Sequence, residues 1–296
     1  MNLAWAEHVG SKVAVLSMDV EDWYYLDYFN RSACDARHSL LDGLDVFRSI
    51  LRQHGIKTSF FVLGELAHAL APTLRSLGED GHELASHGWN HVRPLTLSGR
   101  DFLDDLRRSK CTIEETVTRP VIGYRAPCFS LDRTRLDLVV EAGYAFDSSR
   151  MLFKPHALYG TIDLQGFTPV SANVFRKGDF FEFQLSTQRV AGQNLPVSGG
   201  GYIRILPWFL MKTWLRRYLA ANELYVLYLH PFELSLRPLP PLPKGTPWPT
   251  RLRFSVGRKR VLTRLASLIH MLRGFGFEFC TFAELRRRLL SAPARA

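Results

Sequence analysis

The residues before about 150 alternate short apolar runs with longer amphipathic stretches, and this alternation restricts the fold more than any other feature. The run KVAVLSM at 12–18 is rich in β-branched residues and predicts a strand. The next stretch, LDGLDVFRSILRQHG, predicts a helix, because its apolar residues share one face and Gly55 ends it. Strands that alternate with helices of this length predict βαβ units and a parallel sheet, closed or open.

The alternation continues to about residue 149 and then loosens. The sequence predicts a strand in KTSFFVLG, a helix in LAHALAPTLRSLGEDG despite its proline, a strand in HELASHG, a helix near 98–116, a strand in VIGYRAP, a helix near 131–142 and a strand in YAFDSS. After FKPHALYGTIDLQGFTPV, which is punctuated by proline and glycine, it predicts a strand in DFFEFQLS, a turn in SGGGY, an amphipathic helix in PWFLMKTWLRRYLA, a strand in ELYVLYLHPFEL, a loop in LRPLPPLPKGTPWP, and a final helix, strand and helix. We interpret 1–296 as a single α/β domain.

Composition restricts the class of protein and of partner. An apolar fraction of 46% with 12% aromatic residues supports a large core and argues against disorder. The formal net charge of +10 indicates either an anionic partner or a basic, solvated surface. A recognition motif for nucleic acid is lacking, so we expect no nucleic-acid partner. The helix in PWFLMKTWLRRYLA either faces the core or lies at the face of an anionic membrane.

The cysteines and the N-terminal residues bear on location. Cys34, Cys111, Cys128 and Cys280 are widely spaced, which predicts free thiols in a reducing compartment. The segment MNLAWAEHVGSK lacks the basic and apolar regions of a signal peptide. The apolar runs fall short of the roughly 18 residues that a membrane span needs. We therefore expect a cytoplasmic protein, with peripheral contact at the inner membrane as an extension.

The motif SHGWNH places His87 and His91 directly after a predicted strand. They are either two metal ligands or two polar residues of a loop. A third ligand is available from SMDVED, which ends the first strand and offers Asp19, Glu21 and Asp22, although an acidic cluster there also caps the segment that follows. Two histidines and one carboxylate leave metal positions open for water or substrate, as in catalytic zinc sites.

Two further polar motifs follow later strands. Arg125 in GYRAP can pair with and orient a carboxylate, or form a surface salt bridge. His230 in LYLHPFE can act as a general acid to a leaving amine, or be structural. Asp147 in GYAFDSS can hydrogen-bond one of these two residues and orient it, or belong to a turn. Because these motifs end strands, we expect them at the edge of a barrel or sheet where active sites form.

The order of these motifs resembles that of the NodB-type polysaccharide deacetylases of carbohydrate esterase family 4. The motifs that carry the resemblance are DVEDWYY, SHGWNH, GYRAPCFS, GYAFDSS, SGGGYIRILP and LYLHPFE, spread over about residues 12 to 285. They look like the branch associated with exopolysaccharide and lipopolysaccharide biosynthesis clusters. The resemblance implies a distorted (β/α) barrel with seven or so strands, completed by a family-specific part from about 150 to 296. It also implies a divalent metal, usually zinc.

The resemblance implies a role for each matching residue. Asp19 matches the catalytic base, and His87 and His91 match the two histidine ligands. Arg125 matches the arginine that orients the base, and His230 matches the general acid. The metal is expected to polarise the acetyl carbonyl and to lower the pKa of a water, while a backbone N–H near Cys128 or Phe129 stabilises the oxyanion.

The first motif departs from the common family form, in which base and ligand are adjacent aspartates. Here Asp19 is followed by Val20, Glu21 and Asp22. Side chains two apart lie on the same side of a strand, so we favour Glu21 as the metal ligand and keep Asp22 as the alternative if the strand has already ended. Gly88 also departs from the family pattern, because it lacks a hydroxyl but lets the backbone approach the site.

Substrate contacts are expected from residues that flank these motifs. Aromatic side chains there stack on sugar faces or pack around the mouth of the barrel. The candidates are Trp23, Tyr24, Trp89, Pro127, Cys128 and Phe129. A nucleophilic Cys128 is disfavoured, because the sequence places no histidine to activate it.

The function expected from the resemblance is metal-dependent hydrolysis of an N-acetyl group from an amino sugar, with release of acetate. A cytoplasmic location favours a biosynthetic intermediate, either lipid-linked or nucleotide-linked, as the substrate. One alternative is hydrolysis of another C–N bond, in a cyclic imide or a formyl group. A second alternative is a non-catalytic glycan-binding protein on the same fold.

Overall fold

The computed structural model describes Trp5, residues 9–153 and residues 157–291. The strands are β1 (Lys12–Val20), β2 (Ser59–Val62), β3 (Glu83–Ser86), β4 (Gly123–Tyr124), β5 (Phe146–Asp147), β6 (Thr168–Ser171), β7 (Val174–Lys177), β8 (Phe180–Phe183), β9 (Thr187–Val190), β10 (Gln193–Pro196), β11 (Leu224–Leu229) and β12 (Phe277–Phe279). The helices are α1 (Asp42–His54), α2 (Gly64–Ala67), α3 (Ala71–Glu79), α4 (Gly99–Val117), α5 (Arg133–Glu141), α6 (Gly200–Ile205), α7 (Trp208–Ala221), α8 (Pro231–Leu234), α9 (Trp248–Ser255), α10 (Arg258–Gly274) and α11 (Phe282–Leu290).

Seven parallel strands form the curved sheet of a distorted barrel, in the order β11-β1-β2-β3-β4-β5-β8. Strands β7 and β6 extend it antiparallel beyond β8, β12 pairs with the start of β1, and β9 and β10 form a separate hairpin. The predicted barrel of seven or so strands is therefore confirmed. Within the described residues, no helix has the length and apolar character needed to cross a membrane.

The segment at residues 197–199 spans the gap between β8 and β11. Val197 donates its backbone N–H to the Ser186 carbonyl, just beyond β8, and Tyr228 of β11 donates to the Ser198 carbonyl. A parallel bridge between Gly199 and Tyr228 continues this pairing. The barrel is thus closed by an irregular segment in place of an eighth strand.

Strand alternation decides what points into the barrel. In β1, Val13 and Val15 pack in the interior with the aromatic side chains of other strands, whereas Ala14 and Leu16 pack against the outer helices. Both faces are apolar because helices cover the outside, as is usual for parallel sheets. The same alternation carries Asp19, at the end of β1, to the interior side.

The structure corrects three predictions about local elements. The helix predicted over LAHALAPTLRSLGEDG is two helices, α2 and α3, because Pro72 lies in the first turn of α3 and starts a new helix. SGGGY is more than a turn, since α6 begins at Gly200. LRPLPPLPKGTPWP ends inside α9, a helix that its proline content concealed. Two segments interpreted in the sequence, MNLAWAEHVGSK and FKPHALYGTIDLQGFTPV, lie partly outside the described residues, at 1–4 and 6–8 and at 154–156.

The amphipathic helix α7 packs its apolar side on the body of the protein. Met211, Leu215 and Leu219 are buried along that side. This arrangement matches the core-facing interpretation of the sequence over most of the helix. Only its first turn presents large apolar side chains, Phe209 and Leu210, to solvent.

Two buried acidic side chains join β5 to β8. Asp147 pairs in register with Glu182, and both are inaccessible to solvent. Burial raises the pKa of both carboxyl groups, and the negative charge of Asp147 raises the pKa of Glu182 further. Glu182 therefore keeps a proton and donates it to Asp147 in a hydrogen bond, while its other oxygen accepts from the Arg150 backbone N–H at 2.9 Å.

Gly43 allows α1 to pack closely against α8, the helix that follows β11. A Cβ at this position would overlap the Pro231 carbonyl oxygen. We expect Gly43→Ala to lower the free energy of unfolding by about 1–3 kcal/mol, measured by urea denaturation, because neither backbone can yield without strain. Gly274→Ala is the control, since a Cβ there meets no atom and the change should be neutral or slightly stabilising. Equal effects of the two changes would contradict the close-packing argument.

Glu182→Gln tests the shared proton. A carboxyl group with a raised pKa in the folded state stabilises the fold at acid pH, and this contribution is lost as the pH rises above 4.5 and through the folded-state pKa. Gln keeps a donor to Asp147 without titrating, so the urea midpoint of Glu182→Gln should rise relative to that of the wild type as the pH increases above 4.5. The exposed Glu141→Gln serves as the control. Parallel pH profiles of Glu182→Gln and the wild type would exclude the shared proton.

Candidate active site

A polar cavity lies at the carboxyl ends of the barrel strands, where active sites of α/β barrels form. The cavity is lined by Asp19 at the end of β1, Glu21 just after β1, His87 and His91 after β3, and His230 after β11. Parallel strands end on the same edge of the barrel, which is why segments far apart in sequence meet here. The structure thus brings together five residues that the sequence analysis selected separately.

Asp19 and Arg125 form a buried ion pair on one side of the cavity. Arg125 Nη1 donates to Asp19 Oδ1 at 2.7 Å, and the guanidinium is fully buried. Three further N–H groups are used: Nη1 reaches Ser17 Oγ at 2.8 Å, Nε reaches the Ser148 carbonyl at 3.0 Å and Nη2 reaches Ser148 Oγ at 3.1 Å. The fixed fork of a guanidinium held at four points sets the orientation of the Asp19 carboxylate.

Glu21, His87 and His91 form a group that can hold a metal ion. Glu21 Oε2 lies 2.8 Å from His91 Nε2 and 3.9 Å from His87 Nε2. His87 Nδ1 is 2.8 Å from the Arg125 carbonyl oxygen, which accepts its proton and leaves Nε2 free for a metal. Each of the three residues therefore presents one ligand atom to the same point.

The surroundings of the Glu21 carboxylate indicate whether a metal ion fits this site. Both its oxygens are buried, and neither accepts a well-aligned hydrogen bond from the described residues. Burial disfavours its charge, yet the surrounding imidazoles of His91, His230 and His87 lower the pKa of Glu21 to about 2. A buried carboxylate without hydrogen bonds, facing two imidazole nitrogens, is suited to a cation, and the donor set of two nitrogens and one oxygen suits zinc.

Asp22, the alternative ligand, lies outside this group. Its Oδ1 accepts backbone N–H groups of Trp23 at 2.8 Å and of Leu40 at 2.9 Å. It caps the 3-10 turn Trp23–Tyr25, because the chain leaves β1 at Val20 and turns away. The structure thus places Glu21 at the candidate metal site and Asp22 in a cap.

His91 is positioned by its backbone and by a second carboxylate. Its φ of 66° is in the left-handed region, and Gly88 at φ 78° makes the turn that returns the chain toward His87. His91 Nδ1 lies 3.6 Å from Asp27 Oδ2, which itself lies near Arg93. Asp27 was missed in the sequence, because it follows the first motif by several residues and belongs to no pattern.

His230 directly follows β11, the strand that pairs with β1, and lines the same cavity as Asp19. Its Nε2 is 3.4 Å from Glu21 Oε1, and its Nδ1 is 3.4 Å from Glu233 Oε2. Glu233 also accepts the His230 backbone N–H at 3.1 Å and pairs with Arg204 Nε at 3.3 Å. Burial opposes the imidazolium, but Glu233 and Glu21 together raise the pKa of His230 to about 9. Glu233 follows His230 by three residues, which is the spacing of a capping box. This spacing in LYLHPFE is the sequence signal that could have predicted their contact.

Asp147 does not have the predicted contacts. We expected it to hydrogen-bond His230 or Arg125, but its carboxylate accepts the backbone N–H and the hydroxyl of Ser149, at 2.9 and 2.7 Å. Ser149 Oγ in turn accepts the Ala126 backbone N–H at 2.8 Å. Asp147 therefore supports the backbone after Arg125 through Ser149. On the side of β8, Asp147 pairs with Glu182.

Four of the six predicted substrate contacts do not line the cavity. Trp23 is fully buried and donates its indole N–H to the His38 carbonyl, and Tyr24 packs against Tyr25. Trp89 lies under the Arg108 guanidinium, 3.5 Å from the ring centroid, and packs on α2. Pro127 shapes the turn after Arg125. Neighbours in a tight turn point in different directions, which is why these four side chains do not line the cavity, and their contact with a substrate stays a prediction.

Cys128 and Phe129 do line the cavity, on a turn where both have positive φ. Phe129 donates its backbone N–H to the Ala126 carbonyl at 2.9 Å, so the Cys128 N–H is the remaining donor considered for the oxyanion. Cys128 Sγ donates to Asp27 Oδ2 at 2.8 Å. Burial raises the pKa of this thiol well above its usual value, which disfavours a nucleophilic thiolate. Tyr28, Tyr159 and Tyr228 complete the wall and were missed in the sequence.

Comparison with known families divides the chain into two matched ranges. Residues 44–146 match the polysaccharide deacetylase family model, and residues 148–286 match a domain of unknown function, DUF3473. Curated relatives include a peptidoglycan deacetylase of Helicobacter pylori, 21% identical over 37% of this chain and 37% of the relative. Another is the peptidoglycan deacetylase-like protein FGM2 of Gibberella zeae, 30% identical over 36% of this chain and 32% of the relative. The chain thus spans about a third of the length of the curated relatives it matches.

Solved structures share the fold over nearly the whole chain. A chain from Mycobacterium smegmatis assigned to the polysaccharide deacetylases has a TM-score of 0.63 and 19% identity, covering 97% of this chain and 94% of that one. A pseudoenzyme of carbohydrate esterase family 4 from Bacillus anthracis has a TM-score of 0.51 and 14% identity, covering 94% and 66%. At these identities the likeness concerns the fold alone. Residues 44–146 are thus similar to the polysaccharide deacetylase family, and the chain as a whole shares the fold of solved polysaccharide deacetylases.

Proposed function

We propose that the protein is a metal-dependent hydrolase that removes an N-acetyl group from an amino sugar and releases acetate. The observation that carries this proposal is the Asp19–Arg125 pair beside the Glu21–His87–His91 group, with His230 lining the same cavity. A base, a metal site and an acid around one space are what hydrolysis of an amide requires. The domain organisation, 1–296 as one unit, is part of the proposal.

Glu21, His87 and His91 would hold the divalent cation, with zinc the best match to the donor set. When bound, the cation supplies Lewis-acid polarisation of the acetyl carbonyl and lowers the pKa of water. The Arg125 carbonyl accepts from His87 Nδ1 and would fix that imidazole with its Nε2 toward the metal, while Asp27 lies 3.6 Å from His91 Nδ1.

Asp19 would take a proton from the attacking water, held in position by Arg125. We assign stabilisation of the oxyanion to the Cys128 backbone N–H, on the turn that follows the arginine motif. His230 would protonate the departing amine. Its raised pKa keeps it an imidazolium at neutral pH, and Glu233 holds its Nδ1 so that Nε2 faces the cavity.

The substrate would be a biosynthetic glycan intermediate, lipid-linked or nucleotide-linked, as in exopolysaccharide or lipopolysaccharide assembly in the cytoplasm or at the inner membrane. The net charge of +10 supports a substrate that carries phosphate. The similarity to peptidoglycan deacetylases covers only about a third of each protein. It is therefore compatible with a substrate glycan other than peptidoglycan. Cleavage of a cyclic imide or formyl group is the alternative reaction, and glycan binding without catalysis is the alternative function.

Asp19→Asn tests the catalytic base. We expect kcat for acetate release from an N-acetylated chitooligosaccharide to fall about 10²–10⁴-fold, because the amide cannot accept the water proton. Asp45→Asn, an exposed substitution on α1, should leave the rate unchanged. Full activity in Asp19→Asn would refute its assignment as base. A wild type that binds the oligosaccharide without releasing acetate would support the glycan-binding alternative.

Glu21→Gln and Asp22→Asn separate the two candidate ligands. We expect Glu21→Gln to weaken zinc binding, measured by competition with a chromophoric chelator, by roughly tenfold or more, because a neutral amide is a poorer ligand. Asp22→Asn should bind zinc as the wild type does, since its carboxylate faces backbone N–H groups. Chelator should abolish acetate release, and added zinc should restore it. The reverse order of affinities would show that Asp22 is the ligand.

A further inference from the structure

Two short segments beside the active site expose large apolar side chains. Nine such side chains are exposed in the described part of the chain, and five of them belong to the apolar rim, which we define as Ile205, Phe209, Leu210, Trp248 and Leu252. Phe209 and Trp248 are the most exposed of the five, at 68% and 72%. Isolated apolar side chains on a surface are ordinary, but an aromatic residue and its apolar neighbours on each of two adjacent segments form a contact site.

One member of the apolar rim, Ile205, lines a second cavity, which shares lining residues with the active-site cavity. This cavity has a volume of about 320 Å³, and His230, Tyr28 and Tyr159 line both cavities. Ile205 from the end of α6 and Arg253 from α9 line its outer part. Arg204 Nη1 donates to the Val256 carbonyl at 2.6 Å, which ties the two segments together. The second cavity therefore extends from Ile205 of the rim to His230.

The sequence around the apolar rim is strongly basic, which favours an anionic partner. The stretches 183–222 and 234–277, which contain the rim, hold 14 of the 38 basic residues and no aspartate or glutamate. The remaining chain holds 24 basic and 28 acidic residues, so the whole positive excess comes from these two stretches. Arg251 and Arg253 on α9, and Arg216 and Arg217 on α7, are exposed.

We propose that the apolar rim docks on a membrane that contains anionic lipids, and that the sugar substrate is presented there as the head of a glycolipid. Exposed aromatic and aliphatic side chains on helices that also carry exposed arginines match the interface between headgroups and acyl chains. A second copy of this chain is a poor occupant, because a two-fold contact would bring identical basic patches together with no acidic residue to neutralise them. The inference rests on the proposed deacetylation for its substrate, but the docking itself does not.

The test uses the full chain and lipid vesicles. Wild-type protein is sedimented with vesicles of phosphatidylcholine alone and of phosphatidylcholine with phosphatidylglycerol, at low and high salt. We expect binding to the anionic vesicles only, weakened by salt, and a blue shift of the Trp248 fluorescence. The double variant Phe209→Ser/Trp248→Ser should lose binding by roughly tenfold or more. Val140→Ser removes an exposed apolar side chain on α5, remote in sequence from the rim, and should bind as the wild type does.

The outcomes separate this inference from the proposed reaction. The double variant should release acetate from a soluble chitooligosaccharide at the wild-type rate, so loss of vesicle binding with intact activity supports the docking surface. Equal vesicle binding by the wild type and the double variant would overturn it. Conversion of a dimer into a monomer in the double variant, without any vesicle binding, would also overturn it and identify the rim as an interface between copies. Inactivity of every form would refute the reaction and leave the vesicle result valid.

Discussion

The buried ion pair between Asp19 and Arg125 organises the site. It joins the end of β1 to the turn after β4, and the guanidinium is fully buried. A buried charge of this kind is tolerated only when it is paired and most of its other donors are satisfied, and here Ser17 and Ser148 accept from three of those donors. The carbonyl of the same Arg125 orients His87, so one residue fixes both the candidate base and a candidate metal ligand.

Alternation along β1 explains how much of this arrangement is readable in the sequence. Val13, Val15 and Asp19 share the interior face, so a strand predicted at 12–18 already directs the first carboxylate into the barrel. Glu21 was favoured by extending the same alternation, although β1 ends at Val20 and Glu21 donates its N–H back to the Asp19 carbonyl. The residue chosen is the one near the histidines, but a turn brings it there, and turns of this kind are not determined by periodicity.

Contacts made across long sequence separations were the part that the sequence concealed. Asp27 reaches His91 and Cys128 from an irregular loop, and Tyr159 enters the cavity from a segment rich in glycine. Trp23 and Trp89 were selected because they neighbour the motifs, yet the backbone of each turn points them into packed surroundings. Composition and spacing identify which residue types are available, whereas the direction of a side chain in a turn depends on the tertiary packing around it.

The two matched ranges of the chain form one site between them. His230, Glu233 and most of the second cavity belong to the range that matches a domain of unknown function, whereas His87 and Arg125 belong to the polysaccharide deacetylase range. Asp19 and Glu21 precede both ranges. Strands β8 and β11 close the barrel from the second range, so the edge on which the base and the ligands stand depends on it. The second range therefore supplies the acid of the proposed reaction and also the apolar rim, of which Ile205 lines the second cavity. We infer that this range is the part of the chain that would select the glycan.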